Sequence, residues 1–213
     1  MTAPRTIIGV VRAGGRSSRM GGGDKCLELL GGRPLLGHVI ARLRRQVADM
    51  VISANGDPAR FAPFGLPVVA DSPPELAGPI AGVEAALAWV AANCPGVSWI
   101  VTVPGDSPFI PGDLVARLVG AGRAGTMAVA RSATGVHPVA ALWPVGIADD
   151  LKVALADGFR RVSRWAELQS APEAFFAPVE IDGRPVDPFF NINRPEDLAA
   201  AEALLARERS KPS

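Results

Sequence analysis

The chain has 213 residues, of which 48% are hydrophobic and 20% charged, and this balance excludes an intrinsically disordered protein. A formal net charge of +1 gives no overall attraction for nucleic acid, so we expect no nucleic-acid partner. Two cysteines and two histidines are too few for a recognisable zinc motif. With no signal-peptide core and no apolar run of about 18 residues, we expect a cytoplasmic protein without membrane contact, folded as one domain over residues 1–213.

The first half alternates predicted strands with predicted helices. Short apolar runs at 7–11, 50–54, 68–70 and 99–103 are typical of strands that are buried on both faces. Helical spacing predicts helices over 34–46 and 81–92, and Pro111 suits the first turn of a third. This alternation predicts a doubly wound, mostly parallel α/β sheet, whose ligands bind beyond the carboxyl ends of the strands.

The second half is less regular. Apolar runs predict strands over 126–130, 139–143 and 175–181, some of them antiparallel, and helices over 146–156 and 195–207. Pro185 and Pro188 interrupt the chain before the last helix.

A glycine-rich loop follows the first predicted strand and runs from Arg12 to Lys25. Glycines let backbone amides point at phosphate oxygens, and Arg19 and Lys25 can offset the charge of a triphosphate. Because Cys26 stands where a Walker loop has Ser or Thr, the loop is of a different kind. The alternative, a solvated surface loop, fits poorly with a position directly after a buried strand.

Residues 13–25, Ala-Gly-Gly-Arg-Ser-Ser-Arg-Met-Gly-Gly-Gly-Asp-Lys, resemble the signature loop of the molybdenum cofactor guanylyltransferases. The resemblance continues, in the family's order, through Gly32-Arg-Pro-Leu-Leu36, Asp71, Gly78-Pro-Ile-Ala-Gly82, Pro104-Gly-Asp-Ser-Pro-Phe109, His137-Pro138 and Asn191-Ile-Asn193. It implies a three-layer, Rossmann-like fold of the nucleotide-diphospho-sugar transferase type.

The same resemblance implies the reaction. The family transfers GMP from GTP to molybdenum-bound molybdopterin with the help of Mg²⁺, which places GTP in the N-terminal half and the pterin in the C-terminal half. Molybdenum-insertion proteins and molybdoenzyme chaperones are the implied protein partners. The nucleophile is a phosphate anion, so no dedicated general base is needed.

Several positions match the family's nucleotide contacts. For the loop these are Ala13, Gly14, Gly15, Arg19 and Lys25, and beyond it they are Asn55, Asp71 and Gly82. Asn and Asp are also common where strands end, so a turn or capping role is the alternative for Asn55 and Asp71.

Asp106 follows the strand predicted at 99–103, and a carboxylate at that end of a strand faces the ligand crevice. The resemblance assigns it to magnesium, with Asn193 as a second ligand. An Asx turn is the alternative for Asp106 and helix capping the alternative for Asn193.

The pterin contacts implied by the resemblance are Arg160, Arg161 and Asn191. For the two arginines the alternative is a solvated helical face, because Arg164 lies close by in the sequence. His137 has apolar neighbours and is predicted to be structural.

Arg12 departs from the family, which has an apolar residue there. Burial of its guanidinium without a partner would cost several kcal/mol, so we expect either that Arg12 faces the nucleotide or that activity is impaired. We expect replacement by Leu to improve or preserve activity.

Three other functions stay open. One is a transferase that uses CTP on the same pterin, and another is a nucleotidyltransferase that acts on a sugar or alcohol phosphate. The third is a non-catalytic protein that delivers the cofactor.

Overall fold

The computed structural model describes residues 7–14, 24–70, 78–122, 125–181 and 183–209. In chain order, the strands are β1 (Ile7–Arg12), β2 (Leu29–Leu30), β3 (Arg33–Pro34), β4 (Asp49–Ser53), β5 (Val68–Val69), β6 (Trp99–Pro104), β7 (Ala128–Ser132), β8 (Gly135–Pro144), β9 (Glu173–Phe175), β10 (Val179–Ile181) and β11 (Arg184–Val186). The helices are α1 (Leu35–Leu43), α2 (Pro79–Asn93), α3 (Leu114–Ala121), α4 (Ala148–Ala156), α5 (Val162–Leu168) and α6 (Pro195–Arg209). Within the described ranges, no helix has both the length and the apolar character needed to cross a bilayer.

A seven-stranded sheet in the order β5-β4-β1-β6-β8-β7-β9 forms the centre of the protein. The strands β5, β4, β1 and β6 are parallel, and β8 is antiparallel to both of its neighbours. Two small ribbons, β2-β3 and β10-β11, lie outside this sheet. The predicted mostly parallel α/β sheet, with an antiparallel strand in the second half, is confirmed.

The sheet is covered on both faces, and β1 shows how. Ile7 and Val11 pack into a core that includes residues of α1 and α3, whereas Ile8 and Val10 pack into a core that includes residues of α2, α4 and α5. All four side chains are buried, and burial of such an aliphatic side chain stabilises the fold by about 1.5–3 kcal/mol. A strand between two helical layers needs apolar residues on both faces, which is why its sequence does not alternate.

The antiparallel strand β8 is joined to β6 by a buried polar contact. Trp143 Nε1 donates to Thr102 Oγ1 at 3.0 Å, and that hydroxyl donates to the carbonyl of Val139 at 2.6 Å. Both side chains are fully buried, so each polar atom needs the partner that it has here.

The carboxyl ends of the central strands meet at one edge of the sheet. Arg12 at the end of β1 is in register with Ser53 of β4 and Pro104 of β6, so the loops after these strands begin side by side. The Gly105 N–H donates to the Arg12 carbonyl at 2.8 Å, and a Cβ on Gly105 would lie 2.9 Å from that oxygen. Position 105 therefore requires glycine for the close approach of two loops.

Several element predictions are wrong in their bounds, among them that of β8, which begins at Gly135 and not at 139. The first helix begins at Leu35 and ends at Leu43, three residues short of the predicted end. The single strand predicted over 175–181 is two strands, because Pro178 has no N–H for a strand ladder and separates β9 from β10.

Helix α5, strand β11 and the β2-β3 hairpin were not predicted from the sequence. The turn residues of the hairpin, Gly31 and Gly32, have φ of 59° and 77°. Two glycines with positive φ are typical of a type I′ hairpin turn, so the Gly-Gly pair was a usable signal.

Candidate active site

Three side chains from distant parts of the chain meet at the carboxyl edge of the sheet. Lys25 lies in a 3-10 turn, Lys25–Leu27, and its Nζ is 2.5 Å from Oδ2 of Asp106. The same ammonium group donates to Oδ1 of Asn193. The side chains of Lys25 and Asp106 are 17% and 22% exposed, so the ion pair is screened less than a surface pair. Lys25, Asp106 and Asn193 are called the Lys25 cluster below.

The segment that carries Asn193 is bound along the loop after β6. The Ile192 N–H donates to the Asp106 carbonyl at 3.0 Å, and the Ser107 hydroxyl donates to Oδ1 of Asn191. Ser107 is fully buried. The amide oxygen of Asn193 therefore accepts from Lys25, and that of Asn191 accepts from Ser107 in the loop after β6.

The side chain of Asn193 does not make the hydrogen bond of a helix cap, which was the alternative for this residue. The N–H groups of Asn193 and Arg194 both donate to Oδ2 of Asp197 at 2.8 Å, so Asp197 accepts from the backbone before α6. The side-chain oxygen of Asn193 accepts from Lys25 instead.

The oxygen atoms of the Lys25 cluster suit a hard cation. Among the described residues, no group of three His, Cys, Asp or Glu side chains forms a metal site. One carboxylate and one amide oxygen nevertheless converge on a single positive charge, the ammonium group of Lys25. Mg²⁺ takes oxygen ligands and commonly uses one or two carboxylates together with substrate phosphates, so Asp106 and Asn193 fit its chemistry.

The two ends of the glycine-rich loop are held together. The Ala13 N–H donates to the Ser53 carbonyl at 2.9 Å, and the Cys26 thiol donates to the Ala13 carbonyl at 3.6 Å. Gly14 is exposed beside them. Gly15 and Arg19 lie outside the described residues.

Cys26 is a buried residue of this site without nucleophilic character. Burial raises the pKa of its thiol to about 12, and the nearby negative charges of Asp24 and Asp106 act in the same direction. The thiol therefore stays protonated at neutral pH. Cys94, the second cysteine, is half-buried.

Arg12 is buried, and it has partners. Its guanidinium donates to the carbonyls of Pro79 and Gly78, the latter at 3.3 Å, at the start of α2. Both carbonyls belong to the Gly78–Gly82 segment that the resemblance connects with the nucleotide. The cost expected for a guanidinium buried without a partner therefore does not apply to Arg12.

The remaining nucleotide positions lie at the same edge, as far as the structure describes them. The Asn55 carbonyl accepts from Arg60, and Gly56 after it has φ of 85°. Gly82 is buried in the first turn of α2, where its N–H donates to the Gly78 carbonyl at 3.3 Å. Asp71 lies outside the described residues.

The two arginines predicted to contact the pterin lie between α4 and α5. Arg160 donates to the carbonyls of Leu155 at 2.8 Å and Phe159 at 2.7 Å, which satisfies backbone groups at the end of α4. Arg161 is exposed and directly precedes α5. In the described part of the chain, no hydrogen bond or ion pair joins either arginine to the Lys25 cluster, and their contact with a pterin stays a prediction.

A Ser-His-Asp group lies at the turn between β7 and β8, but its geometry is not that of a catalytic triad. The Ser132 hydroxyl lies 2.7 Å from His137 Nε2 and donates to Asp187 Oδ2 at 2.6 Å. The carboxylate thus faces the same imidazole nitrogen, at 4.0 Å, and not the opposite one. His137 also stacks on Phe189, with ring centroids 4.5 Å apart, which agrees with a structural residue.

Sequence reasoning missed two residues of this edge. Ser107 stood inside the Pro-Gly-Asp-Ser-Pro segment, where a hydroxyl directly after a candidate metal ligand was a usable signal. Arg60 gave no signal in the sequence, because its partners are two carbonyl groups and a distant carboxylate.

Comparisons with known proteins agree with this architecture. A family model described as a MobA-like NTP transferase domain matches residues 9–205. A protein of Rhodopseudomonas palustris (strain HaA2) named molybdenum cofactor guanylyltransferase is 50% identical over 211 residues, which is 98% of this chain and 96% of that protein. A protein of the same name from Bradyrhizobium sp. (strain ORS 278) is 46% identical over 213 residues, and the alignment covers 98% of each protein.

Solved structures share the fold at low identity. Molybdopterin-guanine dinucleotide biosynthesis protein A from Archaeoglobus fulgidus superposes with a TM-score of 0.66 at 22% identity, covering 93% of this chain and 98% of that one. A 4-diphosphocytidyl-2C-methyl-D-erythritol synthase from Anaerococcus prevotii superposes with a TM-score of 0.68 at 15% identity, covering 94% and 96%. Both structures thus share the fold of this chain.

Proposed function

This chain belongs to the MobA-like NTP transferase family, and we propose from that premise that it transfers GMP from GTP to molybdopterin. The chain is a nucleotidyltransferase of molybdenum cofactor biosynthesis. The donor and the acceptor are the part we propose, since they follow from the names of relatives that match nearly the whole chain.

One observation carries the proposal. Lys25, Asp106 and Asn193 converge at the carboxyl edge of the sheet, although they come from the beginning, the middle and the end of the chain. A cation beside a carboxylate and an amide oxygen can bind a triphosphate and the metal that accompanies it. That edge is also where ligands bind in open α/β sheets.

The proposed step is an in-line displacement at the α-phosphorus of GTP. A bond forms from a terminal phosphate oxygen of molybdopterin to that phosphorus, and the bond to the bridging oxygen of the β-phosphate breaks. The electron pair leaves with pyrophosphate, and no proton needs to be removed because the nucleophile is an anion. This agrees with the absence, in the part of the chain that the structure describes, of a catalytic triad and of an activated thiol at this edge.

The residues of the Lys25 cluster act by position and charge. Lys25 would pair with phosphate oxygens, and Arg19 would assist it from the glycine-rich loop. Asp106 and Asn193 would hold Mg²⁺, which neutralises charge that develops on the phosphates. Lys25 would exchange its present partners for the phosphates when the nucleotide binds.

The remaining assignments complete the proposal. Arg12, Ala13, Gly14, Gly15, Asn55, Asp71 and Gly82 would contact GTP. Asn191, Arg160 and Arg161 would contact the molybdenum-bound pterin. We propose one domain in a cytoplasmic protein, with the donor in its N-terminal half and the acceptor in its C-terminal half, and molybdenum-insertion proteins and molybdoenzyme chaperones as partners.

A turnover assay tests the function. Purified protein is incubated with Mg²⁺, molybdate-loaded molybdopterin and either GTP or CTP, and both pyrophosphate and the dinucleotide product are measured. We expect pyrophosphate and molybdopterin guanine dinucleotide in equal amounts with GTP, and little of either with CTP. A preference for CTP would replace the guanylyl assignment, and product formation with neither nucleotide would favour a cofactor-delivery protein.

A further inference from the structure

Arg60 contacts two of the loops that form the candidate site. It lies in the 3-10 segment Pro58–Phe64 that follows β4, and its Nε forms an ion pair with Oδ2 of Asp24. Its two terminal nitrogens donate to the Asp57 carbonyl at 2.8 Å and to the Asn55 carbonyl. One guanidinium group therefore bridges the loop after β1 and the loop after β4.

The base of this bridge is rigid. Phe61, the next residue, is fully buried in the core beside α1, and the Arg60 guanidinium lies 4.6 Å from the centroid of its ring. The Asp57 carboxylate accepts from the Ala59 N–H at 2.9 Å at the start of the segment. Arg60 therefore projects from a segment that is capped at its first turn and fixed in the core.

The Asn55-Gly56 turn is shaped around the same side chain. Gly56 has φ of 85°, and a Cβ at that position would lie 2.9 Å from Nη1 of Arg60. The turn can approach the guanidinium this closely because position 56 has no side chain. The two carbonyl groups that accept from Arg60, those of Asn55 and Asp57, lie on either side of Gly56 in the sequence.

Asp24 transmits the effect of Arg60 to the Lys25 cluster. It directly precedes Lys25, and its carbonyl accepts from the Leu27 N–H at 2.8 Å, which closes the turn that carries Lys25. Lys25 in turn pairs with Asp106. The side chains of Asp24 and Arg60 are 25% and 26% exposed, so the pair is mostly shielded from water.

The pair also matters for charge. Asp24 places a carboxylate next to the lysine that, under the proposed function, binds the triphosphate. An unpaired carboxylate there would repel phosphate groups, whereas Arg60 neutralises it. Loss of Arg60 would thus loosen the end of the glycine-rich loop and expose a negative charge beside the donor site.

We propose that Arg60 is a positioning residue for the nucleoside triphosphate. It holds the Asp24-Lys25 end of the glycine-rich loop against the Asn55-Gly56 turn and cancels the charge of Asp24. This inference rests on the proposed function only in taking the ligand to be a nucleoside triphosphate, and it does not depend on which base is preferred.

The structure offers a matched control. Arg117 of α3 also lies over a phenylalanine ring, with its guanidinium carbon 4.7 Å from the centroid of Phe176, and it donates to the carbonyl of Phe175. It is also paired with a carboxylate, that of Asp113, at 3.7 Å. Arg117 thus makes the same three kinds of contact as Arg60, but outside the loops that follow β1, β4 and β6.

The test compares Arg60→Gln with Arg117→Gln. We expect Arg60→Gln to raise the KM for the preferred nucleotide about tenfold with a smaller change in kcat, because the loop and its charge act mainly on donor binding. Amide hydrogen exchange over residues 25–28 should become faster in Arg60→Gln and stay unchanged in Arg117→Gln. Equal kinetic constants and equal exchange in both variants would overturn the proposal.

A second variant covers the case in which Arg60→Gln does not fold. Asp24→Asn removes only the ion pair and keeps both carbonyl contacts of Arg60, and it should also speed exchange over residues 25–28. Unaltered exchange there would count against the bridge. Nucleotide binding is measured by calorimetry with GTP, CTP and ATP, so a failure of the guanylyl assignment appears in the unmodified protein and is distinguishable from a failure of this inference.

Discussion

The ammonium group of Lys25 lies 2.5 Å from the Asp106 carboxylate and also donates to Asn193, so one lysine occupies the oxygen atoms that would bind a divalent cation. Under the proposed function, substrate and metal would therefore have to compete with an existing ion pair. A triphosphate can relieve this competition because its oxygens can replace Asp106 as the ion-pair partner of Lys25. Asp106 is then available to the metal that accompanies the triphosphate.

Replacement of Asp106 should abolish transfer and leave the fold intact. We expect Asp106→Asn to slow single-turnover guanylyl transfer by about 10²–10⁴-fold, since the metal charge at the phosphate stabilises the transition state by several kcal/mol. Asp113→Asn is the control, because Asp113 is another loop aspartate in an ion pair, in this case with Arg117 outside the candidate site. Near wild-type rates at saturating magnesium in Asp106→Asn would remove this carboxylate from the mechanism.

Replacement of Lys25 should weaken the binding of GTP but strengthen the binding of a divalent metal ion. Lys25→Met should weaken GTP binding and slow transfer, each by about tenfold, because the lysine acts on both the ground and the transition state. Without nucleotide, the same variant should bind Mn²⁺ more tightly than the wild type, because no ammonium competes for Asp106 and Asn193. Titration of the wild type and of Lys25→Met with Mn²⁺ measures this difference, and Lys152→Met, at an exposed lysine, is the control. Equal Mn²⁺ affinities of the wild type and Lys25→Met would contradict the competition.

Replacement of Arg12 by Leu should destabilise the protein. The sequence alone predicts that Leu is tolerated, but the structure shows two hydrogen bonds from Arg12 to the carbonyls of Gly78 and Pro79. Leaving these groups without their donor should lower the free energy of unfolding by about 1–3 kcal/mol. Urea unfolding of Arg12→Leu, compared with that of the exposed Arg131→Leu, is the measurement. Equal unfolding midpoints would mean that water replaces the guanidinium at no cost.

Replacement of Gly14 should change the preference for the nucleotide base and leave the fold intact. A Cβ at position 14 meets no atom of the described structure nearer than Ala54 Cα at 4.0 Å, so Gly14→Ala is sterically tolerated. If the added methyl group narrows the wall beside the base, preference should shift from GTP toward CTP by about 1–3 kcal/mol, the usual scale of steric discrimination in a pocket. The ratio of kcat/KM for the two nucleotides is the readout, and an unchanged ratio would place the base elsewhere.

The stability of the protein should fall in mild acid because of His137. Burial lowers the pKa of His137 below its usual value of 6.5, and the negative charge of Asp187 offsets this only in part. The unfolded chain therefore takes up this proton at a higher pH than the folded protein does. The stability due to neutral His137 is complete above about pH 6.5 and is lost as the pH falls through the folded pKa.

Asp187 stays charged over this range. Burial alone would raise its pKa, but hydrogen bonds from Ser132, Thr134 and the Phe189 backbone outweigh burial and lower it below 3.8. The free energy of unfolding, measured by chemical denaturation, should therefore decrease from pH 7 to pH 5, and His137→Gln should abolish this decrease. A decrease that persists in His137→Gln would assign the dependence to another group.

The sequence by itself determined the class of fold and the edge of the sheet at which a site is expected. Apolar runs without alternation, as in β1, require a sheet covered on both faces, and the alternation of such strands with helices favours a doubly wound topology. The glycine-rich loop and Asp106 could be placed at that edge from the sequence, because parallel strands bring their carboxyl ends together. Their roles in the reaction remain predictions, as do those of Asp71, Gly15 and Arg19.

Only the tertiary structure decided how the side chains pair. Whether Asn193 caps a helix or contacts Lys25 depends on the path of the chain after Pro188, and here the bond from Ile192 to the Asp106 carbonyl directs it. Arg12 and Arg60 reach carbonyl groups, and every residue has a carbonyl, so no pattern of residue types reveals such partners. Local sequence governs backbone conformation and burial, whereas contacts between distant segments depend on how the whole chain packs.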